Sequence, residues 1–423
     1  AITTQELPRG ITVGYRWDPN AYYCRYCGVD LRAKYNNYYG WILDPINMPW
    51  KVQCPDCRRQ FPSNDFGKFY ELGIDEYGNW SYELAKKKNA ELVAAGEDGY
   101  LKNILYPEKN TSEHPNWGVD DGYGYKSGRV FSERGTTYEE TYTFIAYYNH
   151  MQYQSGGLIA EALRSTRDAY LYTGDERYGR VCAIMTDRIA DVYPAMDTGA
   201  YFPEFYNSDS TQPAGKIAGS IWAYWEADVF AKCYDASYPM YDNAYVQNFL
   251  AEKASKYHMV NTKETAEQIR QNCEDGILRT IFKACEEGDI WGNFGMHQGA
   301  AVTAGIVLDT MPETKTMIDW AFRDGERKTD LSVTGGNITR TLISGIDRDG
   351  GTQECAGNYN RLWASSISLI GDALADYSGY TAADFYKNPR FVKHLKGHFP
   401  MMLSRRATVQ MGDSGSLADT QIY

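Results

Sequence analysis

The spacing of apolar residues along most of the chain predicts α-helices. From about residue 80 onward, apolar residues recur with the 3.6-residue period of a helix. One apolar stripe runs from Leu158 to Tyr170 and ends at Gly174, and the next runs from Val181 to Val192 and ends at Pro194. The same pattern predicts further helices near residues 140–153, 220–236, 245–259, 265–287, 297–308, 315–323, 361–376 and 382–395.

Short connections between these helices predict helical hairpins packed side by side. A closed (α/α) toroid and an open solenoid share this pattern, and the lack of a strict repeat period favours the ring. Residues 1–75 are loop-rich, whereas the segment Arg405–Gly415 is strand-like. We therefore expect a mainly α fold with three parts: a small N-terminal subdomain (1–75), an (α/α) toroid (76–400) and the start of a β-sheet domain (401–423).

Two cysteine pairs, Cys24-x-x-Cys27 and Cys54-x-x-Cys57, predict a metal site in the N-terminal subdomain. Each CxxC turn offers two thiolates to one ion, and two turns complete a tetrahedral four-sulfur shell typical of Zn²⁺. Such a closed shell leaves no position for substrate, so the ion is expected to be structural. The alternative is a pair of disulfides. The other cysteines are scattered and odd in number, which disfavours a disulfide framework: Cys182, Cys233, Cys273, Cys285 and Cys355.

Charge and composition narrow the class of partner. The net charge of the 423-residue chain is −12, which disfavours a nucleic-acid-binding protein. No apolar run is long enough to span a membrane, and no signal peptide is visible. The chain has 36 Tyr and 10 Trp, many of them beside Gly, Asn and Asp, and such side chains suit sugar rings. An anionic polysaccharide therefore stays open as a substrate.

The first polar cluster lies in the segment from Trp291 to Ala301. It places Asn293, His297 and Gln298 between glycines, where one predicted helix gives way to the next. The N-terminus of a helix favours an anion, and these three side chains add hydrogen-bond donors. The structural alternative is that Asn293 caps the helix and His297 is a core histidine.

The second polar cluster is the glycine-rich loop from Asp347 to Arg361. Glycines let the backbone approach a ligand, and the loop presents Glu354, Tyr359 and Arg361 at one rim. The structural alternative is an ordinary turn between helices with a surface tyrosine.

Together the two clusters supply groups that β-elimination on a uronic-acid polymer requires. Donors must neutralise the uronate carboxylate while the C5 proton leaves, a role that suits Asn293 and His297. A base must take that proton and an acid must protonate the departing O4; Tyr359 can do either if positive charge lowers its pKa. Further substrate contacts are expected from His150 and Asn149, which lie among aromatic residues on a predicted inner helix, and from Gln298, Glu354, Arg361 and Arg340.

These segments resemble the heparinase II/III-like group of polysaccharide lyases, which also includes alginate lyases. The resemblance rests on four segments: Trp291–Ala301, the Asp349–Tyr359 loop, the Tyr172–Tyr178 turn and Gly412-Asp413-Ser414. The stretch Cys54-Pro55-Asp56-Cys57 with Asn64-Asp65-Phe66 resembles a subset of the group that has a zinc-bearing N-terminus. The similarity covers most of the chain, although each motif is short.

The resemblance implies an incomplete (α/α) toroid followed by a β-sheet domain, with the active site in the cleft between them. It places the Tyr acid/base on Tyr359 and the carboxylate neutraliser on Asn293 or His297. It implies glycosaminoglycans such as heparin, heparan sulfate, hyaluronan or chondroitin, or alginate, as substrate, and a secreted or periplasmic location. The family usually draws a further catalytic His from the β domain. This chain stops at Tyr423, about where that domain should begin, so a missing or separate β domain is expected as a partner.

Three alternatives stay open. Asp347, Asp349 and Glu354 lie in one loop and would supply the paired carboxylates of an (α/α)-barrel glycoside hydrolase. A uronate C5-epimerase removes the same proton as a lyase but returns it without cleaving the polymer. A non-catalytic glycan-binding module would bind such a polymer without turning it over.

Overall fold

The computed structural model describes residues 2, 7–37, 40–133, 135–201, 214–217, 219, 221–326, 334–353, 357–375, 377–380, 385–397, 402–403 and 407–408. The chain divides into two compact units. The first comprises Ala1–Gly219 with Ala236–Gly276, and the second comprises Ser220–Asp235 with Ile277–Tyr423. This division does not fall at residues 75 or 400, and the predicted domain boundaries stay a prediction.

The first unit begins with short elements and continues with longer helices. Its helices are α1 (Leu31–Tyr35), α2 (Phe66–Leu72), α3 (Tyr82–Ala94), α4 (Phe144–Met151), α5 (Leu158–Thr173), α6 (Glu176–Val192), α8 (Ala244–Lys256) and α9 (Ala266–Cys273). Strands β1 (Ile42–Leu43), β2 (Val52–Gln53) and β3 (Gln60–Phe61) form an antiparallel sheet in the order β1-β2-β3. Strands β4 (Tyr125–Glu133) and β5 (Thr136–Tyr142) form a hairpin.

The second unit is built mainly from helices. Its helices are α10 (Thr280–Glu287), α11 (Met296–Leu308), α12 (Glu313–Phe322), α13 (Ile338–Arg340), α14 (Gly357–Ala375) and α15 (Pro389–Lys396). Helix α7 (Ala223–Ser237) and a π-helical segment (Glu274–Arg279) run across the division between the units. Strands β6 (Met402–Leu403) and β7 (Ala407–Thr408) pair antiparallel.

Local sequence signals explain where the helices start and stop. Helix α5 ends at Gly174, whose φ of 67° closes the helix in the left-handed region that glycine adopts readily. Asp175 then caps α6 by accepting a hydrogen bond from the backbone N–H of Arg177. Thr265 and Gln268 form a capping box at the start of α9. These caps explain why the apolar stripes predict the helices well.

Small residues let neighbouring helices approach closely. At Gly179 on α6, a Cβ atom would lie 2.8 Å from Met240 Cγ and 2.9 Å from the ring of Tyr170. At Gly276 in the π-helical segment, a Cβ would lie 2.3 Å from the carbonyl oxygen of Ala190, so α6 and this segment pack backbone to backbone. Consecutive helices α5 and α6, and likewise α11 and α12, pack against each other.

The prediction of a mainly α fold is confirmed, and the helical pairs are visible within each unit. The predicted helix at 140–153 starts only at Phe144, because the residues before it form the β4–β5 hairpin. Gly135, with a φ of 79°, forms its turn. Within the described part of the chain, no helix is long and apolar enough to cross a membrane. The closed toroid and the β domain stay predictions.

Candidate functional site

The four predicted metal ligands come together. The Sγ atoms of Cys24, Cys27, Cys54 and Cys57 all lie within 4.8 Å of one another, with 3.8 Å between Cys24 and Cys57 and 4.0 Å between Cys27 and Cys54. A disulfide requires about 2.05 Å between sulfurs. A tetrahedral ion with bonds of about 2.3 Å to sulfur spaces them by about 3.8 Å. All four thiols are free, so the predicted cluster is compatible with a structural metal site.

The two cysteine pairs sit in backbone turns of the same design. In the first turn, Gly28 N–H donates to the Cys24 carbonyl oxygen at 2.9 Å; in the second, Arg58 N–H donates to the Cys54 carbonyl oxygen at 3.0 Å. Both donors have a positive φ, 73° at Gly28 and 60° at Arg58. Each turn joins two extended segments, the Tyr23–Asp30 bridge and the β2–β3 hairpin. The chain therefore presents two matched thiol pairs that face one another.

Burial disfavours the thiolate form of two of the four cysteines. Burial raises the pKa of the Cys24 thiol, and it raises that of Cys54 to about 11. Hydrogen bonds from the backbone N–H groups of Tyr26 and Cys27 to Cys24, and of Asp56 and Cys57 to Cys54, oppose this effect. A bound cation would stabilise all four thiolates at neutral pH.

A cavity of about 110 Å³ lies in the first unit, and part of its lining comes from the segment between the two cysteine pairs. Trp50, Tyr148 and Tyr153 line it together with the amides of Asn149 and Gln152. The rings of Trp50 and Tyr148 are 5.6 Å apart, and the backbone N–H of Trp50 donates to the Tyr148 phenol oxygen. Trp50 has a φ of 62°, a strained conformation for a bulky residue, of the kind that concentrates at ligand-binding sites.

Asn149 and His150, both predicted substrate contacts, lie on the buried helix α4. Asn149 lines the cavity, is 1% exposed, and its Nδ2 has no hydrogen-bond partner among the described residues. A buried amide without a partner is costly unless a ligand or water satisfies it. His150 is also 1% exposed; its Nδ1 lies 3.3 Å from the Ile217 carbonyl oxygen, and burial lowers its pKa to about 4. His150 is therefore neutral at pH 7.

Asp120 fixes the start of α4. Its carboxylate accepts hydrogen bonds from the backbone N–H groups of Ile145 at 3.0 Å, Gly122 at 2.7 Å and Gly124 at 2.9 Å. Asp120 is fully buried, and burial raises its pKa to about 7. The helix that carries Asn149 is thus anchored at its first turn by the buried carboxyl group of Asp120.

In the second unit, His297 and Gln298 are core residues. The His297 ring stacks on Trp291 at 4.5 Å and lies edge-on to Trp320 at 6.3 Å, and burial lowers its pKa to about 3. Gln298 accepts a hydrogen bond from Gly295 N–H at 2.9 Å and donates one to the Gly336 carbonyl oxygen at 2.8 Å. Burial favours a structural role for both residues; hydrogen bonds also hold Gln298 in place, whereas His297 Nδ1 has no hydrogen-bond partner among the described residues.

Asn293 and Tyr359 occupy half-buried positions on elements that pack together. Phe294, next to Asn293, contacts Trp363 of α14 with ring centroids 4.7 Å apart. At Gly295, a Cβ would lie only 2.6 Å from Ser366 Cβ, so the loop rests directly on α14. Tyr359 lies one helical turn before Trp363 and hence on the same side of α14. The structure thus brings the two predicted clusters onto neighbouring elements.

The remaining predicted contacts differ in position. Arg361 is half-buried on α14, and Arg340 is exposed at the end of α13. Glu354 lies outside the described residues. The loop before α14 is held by α15, where His394 Nδ1 lies 2.8 Å from the Gly350 carbonyl oxygen. His394 is 3% exposed, so this contact is buried.

The sequence predicted the first and second polar clusters, but it did not predict that Trp50 and Tyr153 line a cavity beside Asn149. Trp50 and Tyr153 are distant from each other in sequence and show no periodicity that would connect them. The adjacent pair Tyr147-Tyr148 before Asn149 was the one local signal. No protein-family model, curated protein or solved structure shows significant similarity to this chain.

Proposed function

We propose that the protein is a polysaccharide lyase that cleaves a uronate-containing polymer by β-elimination. The observation that carries the proposal is the aromatic cavity with the unpaired amide of Asn149 in its lining. Tyr and Trp faces suit a sugar ring, and an amide donor without a protein partner suits an anionic substituent. The cavity is well below the ~300–1,000 Å³ of common ligand pockets, so it fits one substituent or part of one ring.

Neutralisation of the uronate carboxylate is the first requirement of this reaction. As the C5 proton leaves, negative charge spreads into the carboxylate, and preorganised donors lower the barrier. Asn149 Nδ2 is suited to binding such a carboxylate in the first unit, because donation to a substrate would satisfy a buried group. Asn293, half-buried in the second unit together with Tyr359, is the candidate donor for the elimination itself.

Proton transfer is the second requirement. A general base works best with a pKa near the working pH, and burial lowers the pKa of His150 to about 4. His150 is thus better suited to orient the substrate by hydrogen bonding than to remove the C5 proton. Tyr359, half-buried at the start of α14, keeps the acid/base role that the resemblance implies.

We further propose that the ion at the four cysteines is Zn²⁺. Thiolate ligands in a closed tetrahedral shell are typical of structural zinc, and four protein ligands leave no position for substrate. Cys24, Cys27, Cys54 and Cys57 would hold the ion and thereby fix the β2–β3 hairpin. The ion takes no part in the elimination.

The test is incubation with a panel of uronans while the ultraviolet absorbance of a new C4–C5 double bond is followed. We expect absorbance to rise with at least one uronan and not with a neutral glucan. Asn149→Asp should reduce kcat/KM by about 10²-fold or more, because its carboxylate repels the substrate carboxylate where a donor is required. Asn388→Asp is the matched control; it caps α15 through its side-chain oxygen, which Asp supplies equally well.

The products separate the alternatives. A hydrolase releases reducing ends without a double bond, and an epimerase changes the sugar configuration without shortening the polymer. Binding without any product would leave a glycan-binding module. A cleaved polymer with no unsaturated end would overturn the proposal.

A further inference from the structure

Four basic side chains gather around the cysteine turns. Arg25 lies in the first turn, Arg58 and Arg59 in the second, and Lys109 follows in a short 3₁₀ helix (Pro107–Lys109). Among the described residues, none of the four forms an ion pair with a carboxylate. Lys34, near the second cysteine turn, is by contrast paired with Asp56. We name these four residues the basic rim.

Tyr26 lies at the centre of the basic rim. The guanidinium of Arg59 lies 4.7 Å from the centroid of the Tyr26 ring, and the ammonium of Lys109 lies 4.5 Å from it. Tyr26 also contacts Trp117, and the guanidinium of Arg25 lies 6.0 Å from the Trp117 ring. Arg59 and Lys109 thus lie against the half-buried ring of Tyr26, whereas Arg25 packs on the ring of Trp117, which is 6% exposed.

The negative charge of a metal-loaded cysteine site does not neutralise all four cations of the basic rim. Four thiolates with a divalent ion carry a formal charge of roughly −2. Glu108, which accepts a hydrogen bond from the Tyr26 hydroxyl at 3.4 Å, adds one negative charge. Four cations therefore leave a positive excess on this surface, in a protein whose net charge is −12. Clustered like charges repel each other, and an anionic ligand would offset that repulsion.

We propose that the basic rim binds an acidic polysaccharide through its carboxylate or sulfate groups, with a sugar ring against Tyr26. Arginine forks match the geometry of both anions, and an aromatic face packs on the apolar side of a pyranose. A flexible polyanion reaches several cations at once, which a single small anion does not. This site is a binding surface, and it does not depend on the lyase reaction proposed above.

The test measures binding rather than cleavage, so a failure of the proposed activity leaves it intact. The full-length, metal-loaded protein is titrated calorimetrically with heparin oligosaccharides, with alginate oligosaccharides and with neutral dextran. Heparin reports sulfate recognition, and alginate reports carboxylate recognition alone. We expect binding to one or both anionic oligosaccharides that weakens as salt is added, and no binding to dextran.

The variants separate charge from folding. Lys109→Gln with Arg59→Gln should weaken binding by about tenfold or more. Arg58→Asn removes charge with a residue that tolerates the positive φ. The metal content of every variant is measured to check that the cysteine site is intact. The control is Lys86→Gln with Lys87→Gln on α3, which removes two exposed lysines away from the rim and should leave affinity unchanged.

Three outcomes would overturn the proposal. The first is equal affinity of wild type and the Lys109/Arg59 variant for both anionic oligosaccharides, with metal content unchanged. The second is an equal loss of affinity in the α3 control, which would show a non-specific charge effect. The third is a clear preference for single-stranded DNA of similar length over both oligosaccharides, which would assign the rim to nucleic acid.

Discussion

The ammonium nitrogen of Lys263 lies 2.6 Å from Oδ2 of Asp187, and neither side chain is exposed to solvent. Lys263 also reaches Asp191 at 2.5 Å, and Lys253 reaches Asp191 at 2.7 Å. Asn272 donates to Asp187 at 2.9 Å. This network joins α6, α8 and α9, and Arg188, 3.9 Å from Asp191, adds a third cation to its two ammonium groups and two carboxylates.

Loss of one partner should therefore be costly. Lys263→Met replaces the ammonium group with an apolar side chain of similar volume. The two buried carboxylates then keep only one lysine partner. We expect the free energy of unfolding to fall by about 3–5 kcal/mol, measured by urea denaturation. The control is Lys315→Met, which breaks the exposed pair with Asp319 on α12 and should cost below about 0.5 kcal/mol. Equal effects of the two variants would contradict a buried, mutually dependent network.

Stability should also depend on pH through Asp120. Burial raises its pKa from 3.8 to about 7, so folding takes up a proton over this range. The contribution favours the folded state in acid and is lost as the pH rises through about 7. Asp120→Asn imitates the protonated acid at every pH. The variant should therefore gain stability relative to wild type between about pH 4 and pH 8, by up to about 4 kcal/mol.

The measurement is the difference in unfolding free energy between wild type and Asp120→Asn at several pH values. Because Asn loses part of the hydrogen bonding to Ile145, Gly122 and Gly124, a constant offset is expected. The informative quantity is the slope with pH. A flat difference would mean that the carboxylate ionises equally easily in the folded and unfolded chains.

Removal of the metal should destabilise the fold around the four cysteines. We expect one zinc ion per chain by atomic emission, and a lower melting temperature after treatment with a strong chelator. Cys57→Ser should weaken metal binding, because it removes one of four ligands. Cys182→Ala is the control: Cys182 is a buried residue of α6 outside the cluster, and its replacement should leave metal content unchanged. Full metal content in Cys57→Ser would exclude the four-thiolate shell.

Tyr359 should matter for turnover rather than for folding. Removing the hydroxyl in Tyr359→Phe should lower kcat by about 10²–10⁴-fold, the usual contribution of a general acid or base. Its unfolding transition should stay at the wild-type temperature. Tyr172→Phe makes the same chemical change on a side chain that is 89% exposed at the end of α5. A fully active Tyr359→Phe enzyme would remove this phenol from the mechanism.

The helices and the cysteine cluster were predictable from sequence because each depends on short-range patterns. The 3.6-residue stripe, Gly174 and Asp175 define α5 and α6 locally, and the two CxxC turns each carry their own geometry. The β4–β5 hairpin was missed because polar residues such as Ser127 and Glu140 occupy buried positions in its strands, so its sequence lacks a strong apolar alternation.

The candidate site was predictable only in part. The pair Asn149 and His150 was identified from the amide and imidazole beside aromatic residues. The sequence does not reveal that Trp50 joins them, because that contact depends on how the segment between the cysteine pairs packs on α4. The burial of His297 between Trp291 and Trp320 could not be predicted either. A histidine and a glutamine that follow a glycine have the same sequence pattern in a buried core as in an exposed cleft.

Trp50 lies on the stretch of chain between Cys27 and Cys54, so one wall of the cavity belongs to the segment that the ion would close into a loop. A newly synthesised chain would complete that wall only after it acquires its metal. Metal loading would then be a maturation step, and the supply of zinc would decide what fraction of the chains can bind a sugar in the cavity.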